Sequence, residues 1–263
     1  MPDDTRRDRR PGRASRASSS CASCTATTAA SIRGKSTHVG VSSPAGSQSG
    51  IGLVKGMQSF TSIDTLAPDA TYGPVGEIRL VPDPDTFVVL PYARAAARCS
   101  STWSSSTTRR GPLDPRAFLQ RDGRSRRAEA GLAFDAAFEN EFYLARAGPT
   151  DGYRPVDRSL CFSAIGMEST EDVIQDIIAA LTGPGADRRA VRTPSSAGAS
   201  RSCRSATRRR CRAADNQVTY RQTVRGVAGA ARADRVARPQ ALRRPGGQRR
   251  PPPLEHLGHR TTR

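Results

Sequence analysis

Lysine is almost missing from this chain. Of 263 residues 42 are basic, and only Lys35 and Lys55 are lysine, so the rest of the positive charge is arginine. Aromatic residues make up 5% and apolar residues 36%, against roughly 45–50% in an ordinary soluble domain when glycine is counted. No run approaches the ~18 consecutive apolar residues that a membrane-spanning helix needs, which excludes a helical membrane protein. The apolar shortage also excludes one well-packed domain running from end to end. Acidic residues number 24, leaving a net formal charge of +18. Clustered cations gain affinity for phosphate by releasing counterions. The basic stretches nearly lack the aromatics that would stack on bases, so nucleic acid is not expected as a specific partner.

The N-terminus is charged and carries no apolar signal-peptide core, which predicts a cytoplasmic location. The six cysteines are scattered. Cys21-x-x-Cys24 and His256-x-x-His259 are two half-motifs too far apart to define a zinc site. Arg33-Gly34-Lys35-Ser36-Thr37 mimics the end of a phosphate-binding loop. Ala29 stands where that motif needs its first glycine, and no apolar strand precedes it.

Two compositions alternate along the chain. Residues 1–31, 94–111, 186–211 and 229–263 are rich in Arg, Ser, Ala, Thr and Pro, have no apolar period and are expected to be disordered. Residues 32–93, 112–185 and 212–228 read as ordinary protein. Val75–Val81 alternates, with Ile78 and Leu80 on one face and Glu77 and Arg79 on the other, which predicts a half-buried strand. Pro82-Asp83-Pro84-Asp85 predicts a turn, and Thr86–Leu90 a second strand stopped by Pro91. Ala137–Leu144 predicts a strand with Phe138, Phe142 and Leu144 on one side and Glu139, Glu141 and Tyr143 on the other. Glu171–Leu181 predicts an amphipathic helix with the stripe Val173, Ile174, Ile177, Ile178 and Leu181. Ser169 with Asp172 reads as its start signal, and Gly183-Pro184-Gly185 as its end.

The pair Glu139 and Glu141 is the strongest chemical signal. Two residues apart on a strand, their Cα atoms lie about 6.5–7 Å apart on one face. Carboxylates so placed can each hold a hard divalent ion, an arrangement suited to phosphoryl chemistry.

The blocks Arg33–Thr37, Gly50–Leu53, Gly73–Phe87 and Val89–Tyr92 resemble the N-terminal domain of glutamine synthetase-like ligases. Phe138-Glu139-Asn140-Glu141-Phe142 resembles the strand that opens their catalytic domain. Asp157–Ser163 and Arg212–Val218 are similar to later catalytic segments, in matching order and spacing. The resemblance implies an α+β fold, with a β-grasp-like N-terminal domain over residues 32–93 and a partial catalytic domain, built on a curved antiparallel sheet, over residues 112–228. It implies ATP-dependent amide formation, in which the γ-carboxylate of glutamate is phosphorylated and ammonia or another amine displaces the phosphate. It further implies two or more Mg2+ or Mn2+ ions, with Glu141 on a structural metal and Glu139 on the metal nearer the nucleotide phosphates. Active sites in this family form between subunits of a homo-oligomeric ring.

The departures are specific. A family segment resembling E-L-G-x-G-Q-x-E carries two further metal-binding glutamates, and here residues 194–203 hold no carboxylate. A later N-G-x-G-x-H-x-H segment is replaced by Pro245–Pro253, and the C-terminal arginine-rich substrate and nucleotide segments are absent. GC-rich coding sequence read out of register yields mostly Arg, Pro, Ala, Ser and Gly, which is the composition of the off-pattern blocks. Back-translated and re-read two nucleotides on, residues 97–111 give AVLVDLVELDDTPWG and residues 16–30 give RFLLRVLYCDNGGI. Residues 194–205 give PELGGRQQELPI, with both missing glutamates. From Gly246, a one-nucleotide shift gives AGNGAHPHSSIWDT. The chain therefore reads as a truncated, frame-disrupted ligase without activity of its own. The alternatives are a non-functional translation product or a non-specific basic polypeptide that binds nucleic acid.

Overall fold

In the computed structural model the described residues are 20–27, 31–38, 50–93, 96–105, 113–147, 153–160, 162–182, 190–192, 200–205, 208–231 and 235–238. They form a mixed α+β fold with a curved sheet and helices. The chain divides into two compact units, 1–132 and 133–263.

The first unit holds strands β1 (Ser20–Ala26), β2 (Ile32–His38), β3 (Ile51–Val54), β4 (Glu77–Pro82), β5 (Val88–Val89) and β6 (Ala96–Ser105), followed by helix α1 (Pro115–Ala130). The sheet order is β2-β1-β6-β4-β3, with β5 also paired to β6. β1 and β6 run parallel, and the remaining pairs are antiparallel. The alternation predicted around Ile78 and Leu80 is β4, whose inward residues meet Leu53 and Trp103 in an apolar core. Register fixes those contacts, since Leu80 pairs with Ile51 on one side and with Trp103 on the other. Burying each such side chain contributes about 1.5–3 kcal/mol.

The predicted turn is a short 3-10 segment, Pro84–Thr86, started by the Asp83 carboxylate, which accepts the Asp85 N–H at 3.1 Å. Thr86 stitches it to β6: its hydroxyl donates to Asp83 O at 2.6 Å and accepts the Ser100 N–H at 2.8 Å. The predicted strand Thr86–Leu90 shrinks accordingly to Val88–Val89, because Thr86 is committed to the turn.

Where the off-pattern blocks are described, the expectation of disorder is corrected. β1 and β6 arise from two of those blocks, and each is flanked on both edges in the sheet. Backbone N–H and C=O groups pair whatever the side chain, and small Ser, Thr, Ala and Cys residues fit between neighbouring strands. The side chains show the cost. The hydroxyls of Ser23, Ser100 and Ser101 and the indole N–H of Trp103 are buried with no hydrogen-bond partner. Such groups cost about 1–3 kcal/mol each.

Asp114 joins β6 to α1. It is fully buried and starts the helix by accepting the Arg116 N–H at 3.0 Å, while its other oxygen accepts the Trp103 N–H at 2.8 Å. Burial pushes its carboxyl above the ordinary 3.8, and the N–H groups of Trp103, Arg116 and Ala117 oppose that rise. Pro115 occupies the first helical position, and Gly131, at φ 65°, closes the C-terminus in the left-handed region.

The second unit contains β7 (Asp135–Ala136), β8 (Glu139–Ala147), β9 (Tyr153–Pro155), α2 (Ala164–Glu168), α3 (Glu171–Thr182), β10 (Ala190–Arg192), β11 (Ser200–Ser205), β12 (Arg208–Arg209), α4 (Arg210–Ala231) and β13 (Arg235–Arg238). Its main sheet runs β10-β11-β8-β13, with β9 also on β8, and every pair is antiparallel. β10, β11 and β13 again come from blocks expected to be disordered. α3 matches the predicted helix and packs on α4; Val173, Ile174, Ile177 and Leu181 are buried, whereas Ile178 is half-buried and Ala180 joins the core. Ser169 does not start α3. Its hydroxyl donates to Gly166 O at 2.8 Å, and the Thr170 carbonyl accepts the Ile174 N–H, so Thr170 takes the cap position. Residues 183–185, the predicted stop signal, lie outside the described residues.

Candidate metal centre

The candidate centre is built on β8. Alternation along the strand buries Asn140 (8% exposed), Phe142 (4%) and Leu144 (0%) and leaves Glu139 and Glu141 in solvent on the opposite face. The buried face lies against α4. Asn140 Oδ1 accepts a hydrogen bond from Gln217 Nε2 at 2.6 Å, and the Phe142 ring meets Tyr220 edge-on, with centroids 6.5 Å apart. Phe138, predicted to share this face, precedes the strand and is half-buried.

β11 lies along the half of β8 that carries the carboxylates. Its register sets Ser202 opposite Glu141 and Arg204 opposite Glu139. Directly opposed positions on antiparallel strands share a face. Position 202 therefore belongs to the same face as Glu141, and an arginine rather than a further carboxylate stands across from Glu139. Position 202 is also where the second glutamate of the re-read segment falls.

Among the described residues no group of three or more His, Cys, Asp or Glu side chains could hold a metal ion. The donor set at β8 is therefore two exposed carboxylates. That is too few for a closed all-protein cage. It fits a loosely held Mg2+ or Mn2+, ions that bind through one or two carboxylates and keep waters or phosphate oxygens on their remaining positions.

Next to β9, residues 157–160 lie against Gly166 of α2. The Asp157 carboxylate accepts the Ser159 N–H at 2.9 Å and its hydroxyl at 2.8 Å, and Ser163 caps α2 through the Gly166 N–H at 3.3 Å. A Cβ on Gly166 would collide with Ser159 Oγ and stand 2.5 Å from Asp157 Oδ2. Gly166→Ala should push this segment away, at a cost of about 1–3 kcal/mol for the strained or broken part-buried bonds. Limited proteolysis should then cut between residues 157 and 166 faster than in the parent chain.

The other sequence candidates do not form sites here. Cys21 and Cys24 are both buried within β1, and His256 and His259 lie outside the described residues. Arg33–Thr37 is an extended part of β2 paired along β1, not a loop opening a helix as a phosphate cradle would be.

Two family models match the chain, one described as "Glutamine synthetase N-terminal domain" over residues 20–110 and one as "Glutamine synthetase, catalytic domain" over residues 112–243. No curated protein matches it. Among solved structures, a "novel glutamine synthase homolog" aligns at TM-score 0.69 and 23% identity, covering 81% of this chain and 49% of that one. A structure described as "Apo GmaS without ligand" aligns at TM-score 0.69 and 16% identity, covering 84% and 49%. A "GmaS/ADP complex" aligns at TM-score 0.64 and 16% identity, covering 84% and 48%. The chain spans about half the length of these structures.

Proposed function

The chain belongs to the glutamine synthetase family, and from that premise we propose that it derives from an ATP-dependent ligase joining the γ-carboxylate of glutamate to ammonia or another amine. The observation that carries the reading is the exposed pair Glu139 and Glu141 on a strand whose other face is anchored in the core. Nucleotide as a substrate is supported by the ADP complex of the similar GmaS protein.

In this reading a γ-carboxylate oxygen of glutamate attacks the γ-phosphorus of ATP and ADP departs. The amine nitrogen then attacks the acyl carbon, loses a proton, and phosphate leaves. A bound Mg2+ or Mn2+ would supply neutralisation of phosphate charge during the transfer. Glu141 would hold the structural ion and Glu139 the ion facing the nucleotide. β8 contributes rigidity: its buried face fixes the direction in which the two carboxylates point.

We further propose that this chain does not complete the reaction. Position 202 carries serine where the re-read segment has glutamate, and the histidine segment is replaced. The buried hydroxyl of Ser100 supports the frame-disrupted origin, since the re-read text places valine at 100. A cytoplasmic location and a homo-oligomeric ring complete the proposal. No helix among the described residues is long and apolar enough to cross a membrane.

The test uses the purified chain with Mn2+, glutamate, ATP and ammonia. Weak Mn2+ binding by electron paramagnetic resonance is expected, lost in Glu139→Gln/Glu141→Gln, with no glutamate-dependent phosphate release. Unchanged Mn2+ binding in the double variant would overturn the metal assignment, and phosphate release that this variant loses would overturn the proposed inactivity. A second reading rests on the +18 charge. Under it the chain binds any polyanion, with affinity falling steeply as salt rises and no preference for sequence.

A further inference from the structure

On the buried side of β8 an amide pair joins the strand to helix α4. Asn140 lies between the two glutamates in sequence and faces the other way, onto α4. Its partner Gln217 is 77 residues distant in the chain, so the bond ties two remote segments together. Beside it Phe142 from the strand meets Tyr220 from the helix edge-on. Apolar packing is non-directional and lets a helix slide or roll over a strand by fractions of an ångström. A hydrogen bond between two amides is not so tolerant, because distance and angle are both restricted.

The pair also holds a bond in reserve. Asn140 Nδ2 and Gln217 Oε1 are buried without hydrogen-bond partners, and they are a donor and an acceptor. A small rotation of either amide would join them as a second, reciprocal bond. Breaking the bond would add Asn140 Oδ1 and Gln217 Nε2 to the two amide atoms already without partners, so the strand is held in one position over the helix.

We infer that Asn140 and Gln217 are positioning residues for the carboxylate pair, locking the roll of β8 about its own axis so that Glu139 and Glu141 are aimed together at one ion-binding region. Alternate side chains leave a strand in opposite directions from a shared backbone. Fixing residue 140 on one face therefore fixes the aim of residues 139 and 141 on the other. The inference rests on the reading that these glutamates hold divalent metal. Loss of such outer-shell support typically weakens metal binding by about 10–100-fold.

Four proteins test it: the parent, Glu139→Gln/Glu141→Gln, Asn140→Leu/Gln217→Leu, and the exchange Asn140→Gln/Gln217→Asn. Each is measured for Mn2+ binding by electron paramagnetic resonance and for urea unfolding. Replacing both amides by apolar groups of similar size should leave the unfolding midpoint unchanged or raised. The same protein should bind Mn2+ about tenfold more weakly. The exchange keeps an amide on each side and should return affinity to within about threefold of the parent. That split between stability and affinity is what a merely structural pair would not produce. Parent-like Mn2+ affinity in the double-leucine protein overturns the inference. If that protein loses cooperative unfolding, the exchange decides instead, and tenfold weakening there overturns it. If the parent's Mn2+ signal does not depend on Glu139 and Glu141, the metal reading itself falls, and the inference with it.

Discussion

Ser202→Glu should raise the affinity of the chain for Mn2+ by at least about tenfold, equivalent to about 1.4 kcal/mol. Position 202 stands directly opposite Glu141 on β11, so the new carboxylate joins the same face at cross-strand distance. A third hard oxygen donor replaces a bound water and adds a full negative charge beside the ion. The gain must vanish when Glu141→Gln is added, because the new group alone is a single surface carboxylate. A Ser202→Gln control separates charge from size. Equal Mn2+ affinity in Ser202→Glu and the parent would mean that β11 does not lie in this register, and the proposed origin of residues 194–205 would lose its structural support.

Asp114→Ala should destabilise the first unit by about 3 kcal/mol. Loss of a helix cap costs about 0.5–2 kcal/mol. The Trp103 N–H, buried inside the sheet, loses its acceptor as well, adding about 1–3 kcal/mol. Urea unfolding followed by the fluorescence of Trp103, the single tryptophan, reports on this unit directly. The pH dependence has a defined sign. Burial holds the carboxyl above 3.8, so the folded chain takes up this proton more readily than the unfolded chain. The stability tied to that proton is fully present below 3.8 and is lost as pH rises through the folded value. The advantage of the parent over Asp114→Ala should therefore widen as pH is lowered from 7 toward 4. A gap that narrows over that range would contradict the assigned direction.

What could be read in advance follows from where residues interact. The faces of β4, β8 and α3 were legible because an apolar period is a local property, and burial of Ile78, Phe142 and Ile177 answers to it. α1 went unread. Its sixteen residues include five arginines and bury only Ala117 and Gly123, so no apolar stripe announces it. Its ends were written nonetheless, in Asp114-Pro115 and in Gly131. β1 and β6 escaped because their pairing is carried by main-chain hydrogen bonds, to which a serine contributes as well as a valine. At the candidate centre, Glu139 and Glu141 were visible by alternation alone. Gln217 was not, since a contact across 77 residues leaves no trace in local spacing. Nor was the place of Ser202, which depends on which strand lies beside β8.

The parallel ladder between β1 and β6 has a kinetic consequence. It pairs residues 20–24 with 96–100, while β3, β4 and β6 are joined by antiparallel contacts of shorter reach. Closing so long a loop must be compensated before the ladder returns any free energy, and such non-local pairings slow folding. On a ribosome the wait is longer still: β1 emerges first, and its parallel neighbour is made some seventy residues later. β1 can pair with β2 at once, but its other edge waits for β6, and that interval leaves the edge open to other chains.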